Sequence, residues 1–391
     1  MRIVIDGRYI SDHFPGIGRY VYNLLIALAE LPHPHQFAVL YNPDLPNTRY
    51  DIAALSRHRP LRLVATRVRP FSAAEQTIIP RMLRTMRADL YHAPYYVRPY
   101  AGLPCPSITT LYDAIPRLFP GETSPRARLL FNLLTRLAIR ASDQLLAISC
   151  SARDDLAAAY KVPGARITVT PLAADPCFRP QPAGAIAAVR ARYDLGERYI
   201  LSLCSNKPHK NLVALVEAFA GLGATDVGLG TREDQPPISK PLAPSPTLAI
   251  AGHWDPRYPE ARAAADRLGL RDRVRFLPGV AEADLPALYG GAEIFVFPSR
   301  YEGFGLPPLE ALACGTPVIA ANVSSLPEVI GDAGLLVEPT AGALAAGMAR
   351  LLGDPALRAR LRASGPPQAA RFAWPKTAEA TLALYEQVGA R

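Results

Sequence analysis

The stretch EIFVFPSRYEGFGLPPLEALACGTPVIA, residues 293–320, combines a short apolar run, a loop rich in Gly and Pro, a helical segment and a second apolar run. Short apolar runs bounded by Gly and Pro are typical of buried strands. Strands that alternate with helices form a parallel sheet with crossover helices. The stretch therefore predicts an α/β sheet, and the same alternation runs through most of the chain.

A proline-rich segment, Pro171–Ala185, divides this alternation into two parts of similar size. The chain has 391 residues, which is too many for one ordinary core, so two domains are expected. The natural ligand site of such a pair is a cleft between the domains, at the carboxyl ends of the strands. The polar segment Gly223–Pro246 is expected to be a loop insertion.

Composition limits the class of protein. Lys and Arg number 43 against 34 Asp and Glu, which gives a net charge of +9. This surplus suits an anionic ligand, an anionic membrane surface or nucleic acid, or it reflects only an Arg-rich surface. Nucleic acid is not expected, because no dense basic run with interleaved aromatic residues is present. We expect no membrane-spanning helix and no signal peptide, and therefore a cytoplasmic protein.

The sequence does not indicate a bound metal ion or an organic cofactor. The five cysteines are scattered without the spacing of metal ligands, and there is no Asp-x-Asp triplet. The chain also lacks a Walker loop and a GxSxG elbow. We therefore expect reduced cysteines, no metal and no cofactor.

Glu302 and Glu310 are separated by seven residues in the opening stretch. On one helix they would lie about 12 Å apart along the axis, beyond the ~5–9.5 Å separation of paired glycosidase carboxylates. The Gly and Pro residues between them argue against a single helix. We expect Glu302 on a loop, and a helix that begins with Pro308 and ends at Gly315, with Glu310 in its first turn.

A helix start of this kind offers a site for an anion. The amides around residues 305–309 are expected to point toward a phosphate-sized ligand. Glu310 would then accept hydrogen bonds from a vicinal diol such as a ribose, and Glu302 would face the group beyond the phosphates. The alternative is that Glu310 only interacts with the helix dipole and that Glu302 is a solvated loop acid.

The segment CSNKPHKNL, residues 204–212, follows another apolar strand and places Lys207, His209 and Lys210 in a strand-to-helix turn. A lysine in such a turn can neutralise a phosphate. Asn211 is placed to cap the following helix. A solvated basic turn is the alternative interpretation.

Two further segments follow strands of the first half. PGIGRY contains Gly16 and Gly18 in a loop before a helix expected to begin at Arg19, but the third glycine of a dinucleotide fingerprint is missing, so no nicotinamide site is indicated. YDAIP places Tyr112 and Asp113 at a strand end. Asp113 is a candidate for binding a sugar hydroxyl, and a turn-capping role is at least as well supported.

Taken in order, several motifs resemble the GT4 family (glycosyl transferases group 1), retaining glycosyltransferases with two Rossmann-like domains in the GT-B fold. The motifs are RIVIDGRYI, GIGRY, YDAIPRLFP, ITVTPLAAD, KPHKNL, VRFLPGV, FVFPSRYEGFGLPPLEALACGTPVIAANVSSLPEV and RFAWPKTA. They span nearly the whole chain. The resemblance implies two doubly wound α/β domains facing each other across a cleft. Residues 1–178 would bind the acceptor, residues 179–373 would bind a nucleotide sugar, and helix 374–391 would cross back to the first domain.

The resemblance also implies roles for individual residues. Glu302 would be the catalytic residue and contact the reacting face of the sugar, and Glu310 would bind the ribose hydroxyls. The other implied contacts of the nucleotide sugar are Lys210, Val280, Phe304, Gly305, Leu306, Gly16 and Gly18. Tyr112 and Asp113 would contact the acceptor.

The implied activity is retaining transfer of a hexose, with mannose favoured, from a nucleotide-diphosphate sugar. The acceptor would be a saccharide or a lipid-linked molecule in cell-surface polysaccharide synthesis. A nucleotide-sugar epimerase and a non-catalytic nucleotide-sugar-binding protein are the alternatives. A lipid-linked acceptor would bring the protein to the inner membrane face, where its basic surplus favours anionic lipid.

Four features depart from the family pattern. Cys204 and His209 stand at places where the family often has arginine. Lys207 is the candidate for the second cation of the diphosphate site. Tyr112 replaces a common histidine, and PLAAD replaces a glycine-containing turn before the second domain.

Overall fold

The computed structural model describes residues 1–224 and 246–390, without the side chains of residues 122, 223 and 224. The segment predicted to be a loop insertion, Gly223–Pro246, lies outside the described residues except at its ends. The chain divides into two compact units, which are Met1–Ala173 with Phe372–Arg391, and Ala174–Arg371. The expected domain ranges, with boundaries at 178 and 373, stay predictions.

The strands and helices alternate along the chain. The strands are β1 Arg2–Asp6, β2 Gln36–Tyr41, β3 Leu61–Ala65, β4 Leu90–Ala93, β5 Ser107–Leu111, β6 Gln144–Ala147, β7 Ile167–Val169, β8 Tyr199–Leu203, β9 Thr247–Ala251, β10 Val274–Leu277, β11 Ile294–Phe297, β12 Val318–Ala321 and β13 Gly334–Val337. The helices are α1 Pro15–Glu30, α2 Glu75–Thr85, α3 Ile115–Leu118, α4 Pro125–Ala141, α5 Cys150–Tyr160, α6 Ala183–Arg192, α7 Leu212–Ala224, α8 Glu260–Arg267, α9 Leu285–Gly291, α10 Leu306–Ala313, α11 Leu326–Ile330, α12 Ala341–Gly353, α13 Pro355–Ala369 and α14 Trp374–Gly389.

The first unit contains a parallel sheet of order β3-β2-β1-β4-β5-β6-β7. Strands β4, β5 and β6 are buried along their whole length, as expected for a parallel sheet that is covered on both faces. Helix α14 packs against α1 in this unit. The Tyr385 hydroxyl of α14 lies 2.6 Å from Nδ1 of His92 in β4.

The second unit contains a parallel sheet of order β10-β9-β8-β11-β12-β13. Its core joins Phe219 of α7 and Met348 of α12 to Ile319 of β12. Numbered within the unit, the strand order is 3-2-1-4-5-6, that of the Rossmann fold. The prediction of two Rossmann-like α/β sheets is confirmed.

Two helices begin earlier than the sequence analysis predicted. Helix α1 begins at Pro15 and not at Arg19, so Gly16 and Gly18 belong to its first turn and do not form a loop. Helix α10 begins at Leu306 and not at Pro308. In both cases proline occupies one of the first positions of the helix, where its missing N–H costs no hydrogen bond.

Candidate functional site

The second sheet reverses its winding between β8 and β11, the neighbouring strands at its centre. In open α/β sheets, ligands bind beyond the carboxyl ends of the strands at this switch point. The segment with Lys207, His209 and Lys210 follows β8, and the loop with Glu302 follows β11. The strand order therefore brings the two charged motifs of the sequence to one place.

Lys210 and Glu302 form an ion pair across these two segments. Lys210 Nζ donates to Glu302 Oε1 at 2.6 Å. The side chains keep 16% and 12% of their surface exposed, so both remain within reach of a ligand. Lys210 Nζ also lies 5.9 Å from the centroid of the Phe297 ring, at the end of β11. The pair offers a cation and a carboxylate at the switch point.

Hydrogen bonds between the two segments fix their relative position. The backbone N–H of Arg300 donates to the carbonyl of His209 at 2.7 Å. Asn211, which adopts a left-handed conformation with φ of 58°, donates from its carboxamide to the carbonyls of Pro298 and Pro339 at 3.1 and 2.9 Å. These contacts hold the backbones around Lys210 and Glu302 together.

Two serines that the sequence analysis did not identify position the Glu302 loop. Ser324 Oγ accepts from the N–H of Glu302 at 2.9 Å. Ser325 donates to the carbonyl of Glu302 at 2.9 Å and to that of Phe304 at 2.6 Å. Phe304 itself is buried. The serines follow β12, so a third strand end of the sheet contributes to the site.

The start of α10 offers fewer amides than the sequence analysis expected. Gly305 precedes the helix with φ of 110°, a conformation that favours glycine. Pro307 and Pro308 carry no N–H, and the N–H of Leu309 donates to the carbonyl of Gly305 at 3.2 Å. The amides left for an anion are therefore those of Gly305 and Leu306, two of the residues that the resemblance implies as contacts of the nucleotide sugar. Gly315, with φ of 73°, follows the end of the helix as expected.

Glu310 is the fifth residue of α10, so its expected place in the first turn is wrong. Its side chain is almost fully buried, and its Oε2 accepts from the Tyr289 hydroxyl of α9 at 2.8 Å. Tyr289 was not identified from the sequence, because it lies 21 residues away. The hydrogen bond orients the carboxylate, and a ribose would have to reach it at a nearly closed surface.

The positions that depart from the family pattern carry no positive charge near neutral pH. Burial, helped by the charge of Lys210, lowers the pKa of His209 to about 4. Burial raises the pKa of the Cys204 thiol to about 12, against the opposing effect of Lys210. Lys207 is exposed in the same segment. Val280 is half-buried in the loop after β10, the strand at the sheet edge.

The remaining predicted residues lie in the first unit. Gly16 is exposed, and Gly18 is buried where a Cβ atom would come 3.1 Å from the carbonyl oxygen of Tyr9. Tyr112 packs its ring on Tyr20 with 5.9 Å between centroids. Its hydroxyl is buried and has no hydrogen-bond partner among the described residues.

Asp113 follows β5 and caps the turn after it. Its Oδ1 accepts from the N–H of Ile115 at 2.9 Å, where the short helix α3 begins. This is the alternative that the sequence analysis kept open. Its role toward an acceptor stays a prediction.

The first unit carries a charged cluster of its own at the end of β1. Arg8 donates to Asp6 at 2.8 and 2.6 Å and to Glu75 at 2.8 Å, and the Tyr91 hydroxyl donates to Asp6 at 2.8 Å. Arg8 and Asp6 are fully buried and Glu75 is 1% exposed. Burial raises the pKa of Glu75 to about 7. The positive charge of Arg8 opposes this rise, and the negative charge of Asp6 adds to it. No motif in the sequence had indicated this cluster.

In residues 1–224 and 246–390, no three His, Cys, Asp or Glu side chains converge as metal ligands would. The expectation that the protein uses neither a metal nor a cofactor stays a prediction. None of the helices in the described part of the chain combines the length and the hydropathy needed to cross a bilayer.

Comparisons with known proteins address both halves of the chain. The family model described as Glycosyltransferase Family 4 matches residues 15–177, and the model described as Glycosyl transferases group 1 matches residues 189–367. O-antigen chain mannosyltransferase B of Escherichia coli is 29% identical over 400 residues, a match that covers 99% of this chain and 100% of that protein.

Solved structures of low sequence identity share the fold. Sucrose-phosphate synthase from Thermosynechococcus elongatus aligns with a TM-score of 0.73 at 22% identity, over 100% of this chain and 99% of that one. HepE from Anabaena, in complex with UDP and glucose, aligns with a TM-score of 0.71 at 19% identity, over 99% and 100%. The chain belongs to the GT4 family of glycosyl transferases group 1 and is a hexosyltransferase with the GT-B fold.

Proposed function

We propose that this enzyme transfers a hexose, with mannose favoured, from a nucleotide-diphosphate sugar to a saccharide or lipid-linked acceptor in cell-surface polysaccharide synthesis, with retention of configuration. The ion pair of Lys210 and Glu302 at 2.6 Å carries the proposal, because it puts a cation and a carboxylate together at the switch point of the second sheet. The name of the Escherichia coli relative, an O-antigen chain mannosyltransferase, supports mannose and polysaccharide synthesis.

The proposed roles follow from the charge that develops during transfer. The nucleoside diphosphate leaves with negative charge, which Lys210 and the amides of Gly305 and Leu306 stabilise without a metal ion. The sugar carbon becomes positive, and the Glu302 carboxylate faces it. An oxygen of the leaving phosphate takes the proton of the acceptor hydroxyl on the same face of the sugar, which retains the configuration.

The ion pair also links donor binding to the chemical step. Before the donor binds, Lys210 neutralises Glu302. A diphosphate competes for the lysine through charge-assisted hydrogen bonds. When Lys210 turns to the diphosphate, Glu302 keeps its loop position through Ser324 and Ser325 and presents an unneutralised carboxylate to the sugar.

The other site residues keep the roles that the resemblance implies. Glu310, oriented by Tyr289, binds the ribose hydroxyls, and Val280 contacts the base. Phe304 shapes the donor site next to the amides of α10. The remaining proposed contacts are Gly16 and Gly18 for the donor, and Tyr112 and Asp113 for the acceptor.

We propose that the enzyme works in the cytoplasm in peripheral contact with an anionic membrane. The net charge of +9 supports this location, because a cationic surface is attracted to anionic lipid headgroups. A lipid-linked acceptor would require such contact.

An assay for product tests the proposal. The purified chain is incubated with a panel of nucleotide sugars, GDP-mannose among them, and with mixtures of saccharide acceptors. Mass spectrometry should detect a nucleoside diphosphate and an elongated acceptor, and NMR of the product should show the anomeric configuration of the donor. An epimer formed without acceptor would indicate an epimerase, and binding without product would indicate a non-catalytic protein. Inverted configuration would contradict the proposed mechanism.

A further inference from the structure

Helix α4 exposes leucines on its outer face. Leu129, Leu130 and Leu133 are 72%, 52% and 51% exposed. The opposite face of the helix buries Thr135, Ala138 and Ile139. A surface helix ordinarily places its leucines toward the core. In α4 the most exposed large apolar side chains are these three leucines. A contiguous exposed apolar patch of this kind marks an interaction surface.

Arginines flank the exposed leucines at both ends. Arg126 lies one turn before Leu129, Arg136 lies one turn after Leu133, and Arg140 lies one turn further on. All three arginines are exposed, and within the described residues none of them forms an ion pair. Helix α4 contains no Asp or Glu, so positive charge around the leucines is not neutralised by the helix itself.

The neighbouring helix α3 extends the basic and apolar character. It packs against α4 and carries Leu118, which is 41% exposed, and Arg117, which is also exposed. A helix of 17 residues such as α4 is about 25 Å long, so its outer face can lie flat on a surface over several turns. Interfacial helices bind through apolar side chains buried at the headgroup boundary together with Lys or Arg attracted to anionic lipid, and the outer face of α4 presents both kinds of side chain.

We propose that the outer face of α4 is the docking surface of the protein on an anionic phospholipid bilayer. Leu129, Leu130 and Leu133 enter the boundary between headgroups and acyl chains, while Arg126, Arg136 and Arg140 contact the lipid phosphates. The proposal rests on the peripheral membrane contact proposed above and does not depend on which sugar is transferred.

A bilayer fits this face better than a second copy of the chain does. A two-fold symmetric contact through α4 would place the same surface on both sides of the interface. Arginines would then meet arginines at each end, with no acid on the helix to pair with them. Anionic lipid complements both the charge and the apolar strip.

Vesicle flotation with the full chain tests the proposal. At low salt, the protein should float with vesicles of equal parts phosphatidylglycerol and phosphatidylcholine, and not with phosphatidylcholine alone. The double variants Leu129→Gln/Leu133→Gln and Arg136→Gln/Arg140→Gln should each bind anionic vesicles about tenfold or more weakly. Leu268→Gln and Arg350→Gln, at exposed positions of the second unit, are the matched controls and should bind like the wild type.

Two further measurements separate failure of this proposal from failure of the proposed function. Thermal melts should show that the α4 variants remain folded, since the replaced side chains are exposed. Transfer to a water-soluble saccharide acceptor should be unchanged in them, because α4 carries none of the proposed site residues. Equal vesicle binding by wild type and α4 variants would overturn the docking surface. So would a dimer in solution that the leucine variant alone dissociates.

Discussion

The charged side chains that follow the first strand of each sheet differ in their exposure. In the first unit, Arg8 follows β1 and pairs with Asp6 and Glu75 in a sealed cluster, where each side chain exposes 0–1% of its surface. In the second unit, Lys210 follows β8 and pairs with Glu302, with 16% and 12% exposed. The 3-2-1-4 strand order that the two sheets share thus supports a closed cluster in one unit and a reachable pair in the other.

Exposure therefore separates structural charge from functional charge in this fold. A sealed ion cluster cannot meet a ligand, so its consequence is for the stability and the local order of the loops that it joins. A pair with part of its surface open can exchange one partner for a phosphate. Each of the following changes tests one side of this contrast.

Removal of the cation in the sealed cluster should have the largest effect. Arg8→Met leaves Asp6 and Glu75 buried beside each other, which should lower the free energy of unfolding by about 3–5 kcal/mol. Denaturant unfolding of the variant and the wild type measures this loss. Arg192→Met, which removes the exposed partner of Asp284, is the control and should change the unfolding curve very little. A stable Arg8 variant that had lost only catalysis would mean that the cluster is reachable by substrate.

Removal of the charge of the reachable acid should affect the reaction and not the fold. Glu302→Gln keeps the shape of the side chain but cannot stabilise a positive sugar carbon, so turnover should fall on the order of 100-fold. The affinity for the nucleoside diphosphate should be largely retained. Steady-state kinetics and calorimetry measure the two effects. Unchanged turnover would remove Glu302 from the chemistry.

The buried His209 should make the second unit sensitive to acid. Its pKa is about 4 in the folded protein against 6.5 for an unburied histidine, so between these values the unfolded chain binds more protons. The stabilising contribution is present above about pH 6.5 and is lost as the pH falls toward 4, which amounts to about 2 kcal/mol between pH 7 and pH 5. Denaturant unfolding at both pH values should show a smaller difference for His209→Gln than for the wild type.

The matched control for this pH effect is His13→Gln, at an exposed position. It should keep the wild-type dependence on pH. His92, whose pKa burial lowers to about 3 in the first unit, contributes in the same direction and remains in both variants. A pH dependence that His209→Gln leaves unchanged would contradict the burial of a neutral imidazole beside Lys210.

The sequence was sufficient for the strands and for the motifs that follow them. Runs such as IFVF in β11 and VIAA in β12 are buried along their whole length, so a continuous apolar run is a direct signal of a parallel strand. Lys210 and Glu302 were each identified from the residue types in a loop after a strand.

The sequence was insufficient to predict features that tertiary contacts determine, such as the start of a helix or the distant partner of a side chain. The start of α10 was predicted two residues late, because a residue before proline usually avoids the helical conformation, yet Leu306 adopts it after the left-handed Gly305. Tyr289, Ser324 and Ser325 hold the two glutamates from 21 to 23 residues away. No local pattern marks such partners, and the sealed cluster around Arg8 also depends on Glu75, 67 residues distant.

The smallest expected change concerns Lys210, the reachable cation that we propose holds the diphosphate of the donor. Isothermal titration calorimetry with GDP and UDP compares the wild type, Lys210→Ala and the neighbouring control Lys207→Ala. Lys210→Ala should bind the preferred nucleotide several-fold more weakly, a loss of about 1 kcal/mol in binding free energy, because a charge-assisted hydrogen bond to the diphosphate is removed. It should also bind more weakly than Lys207→Ala does. Equal affinity of Lys210→Ala and wild type would contradict the assignment of the donor site.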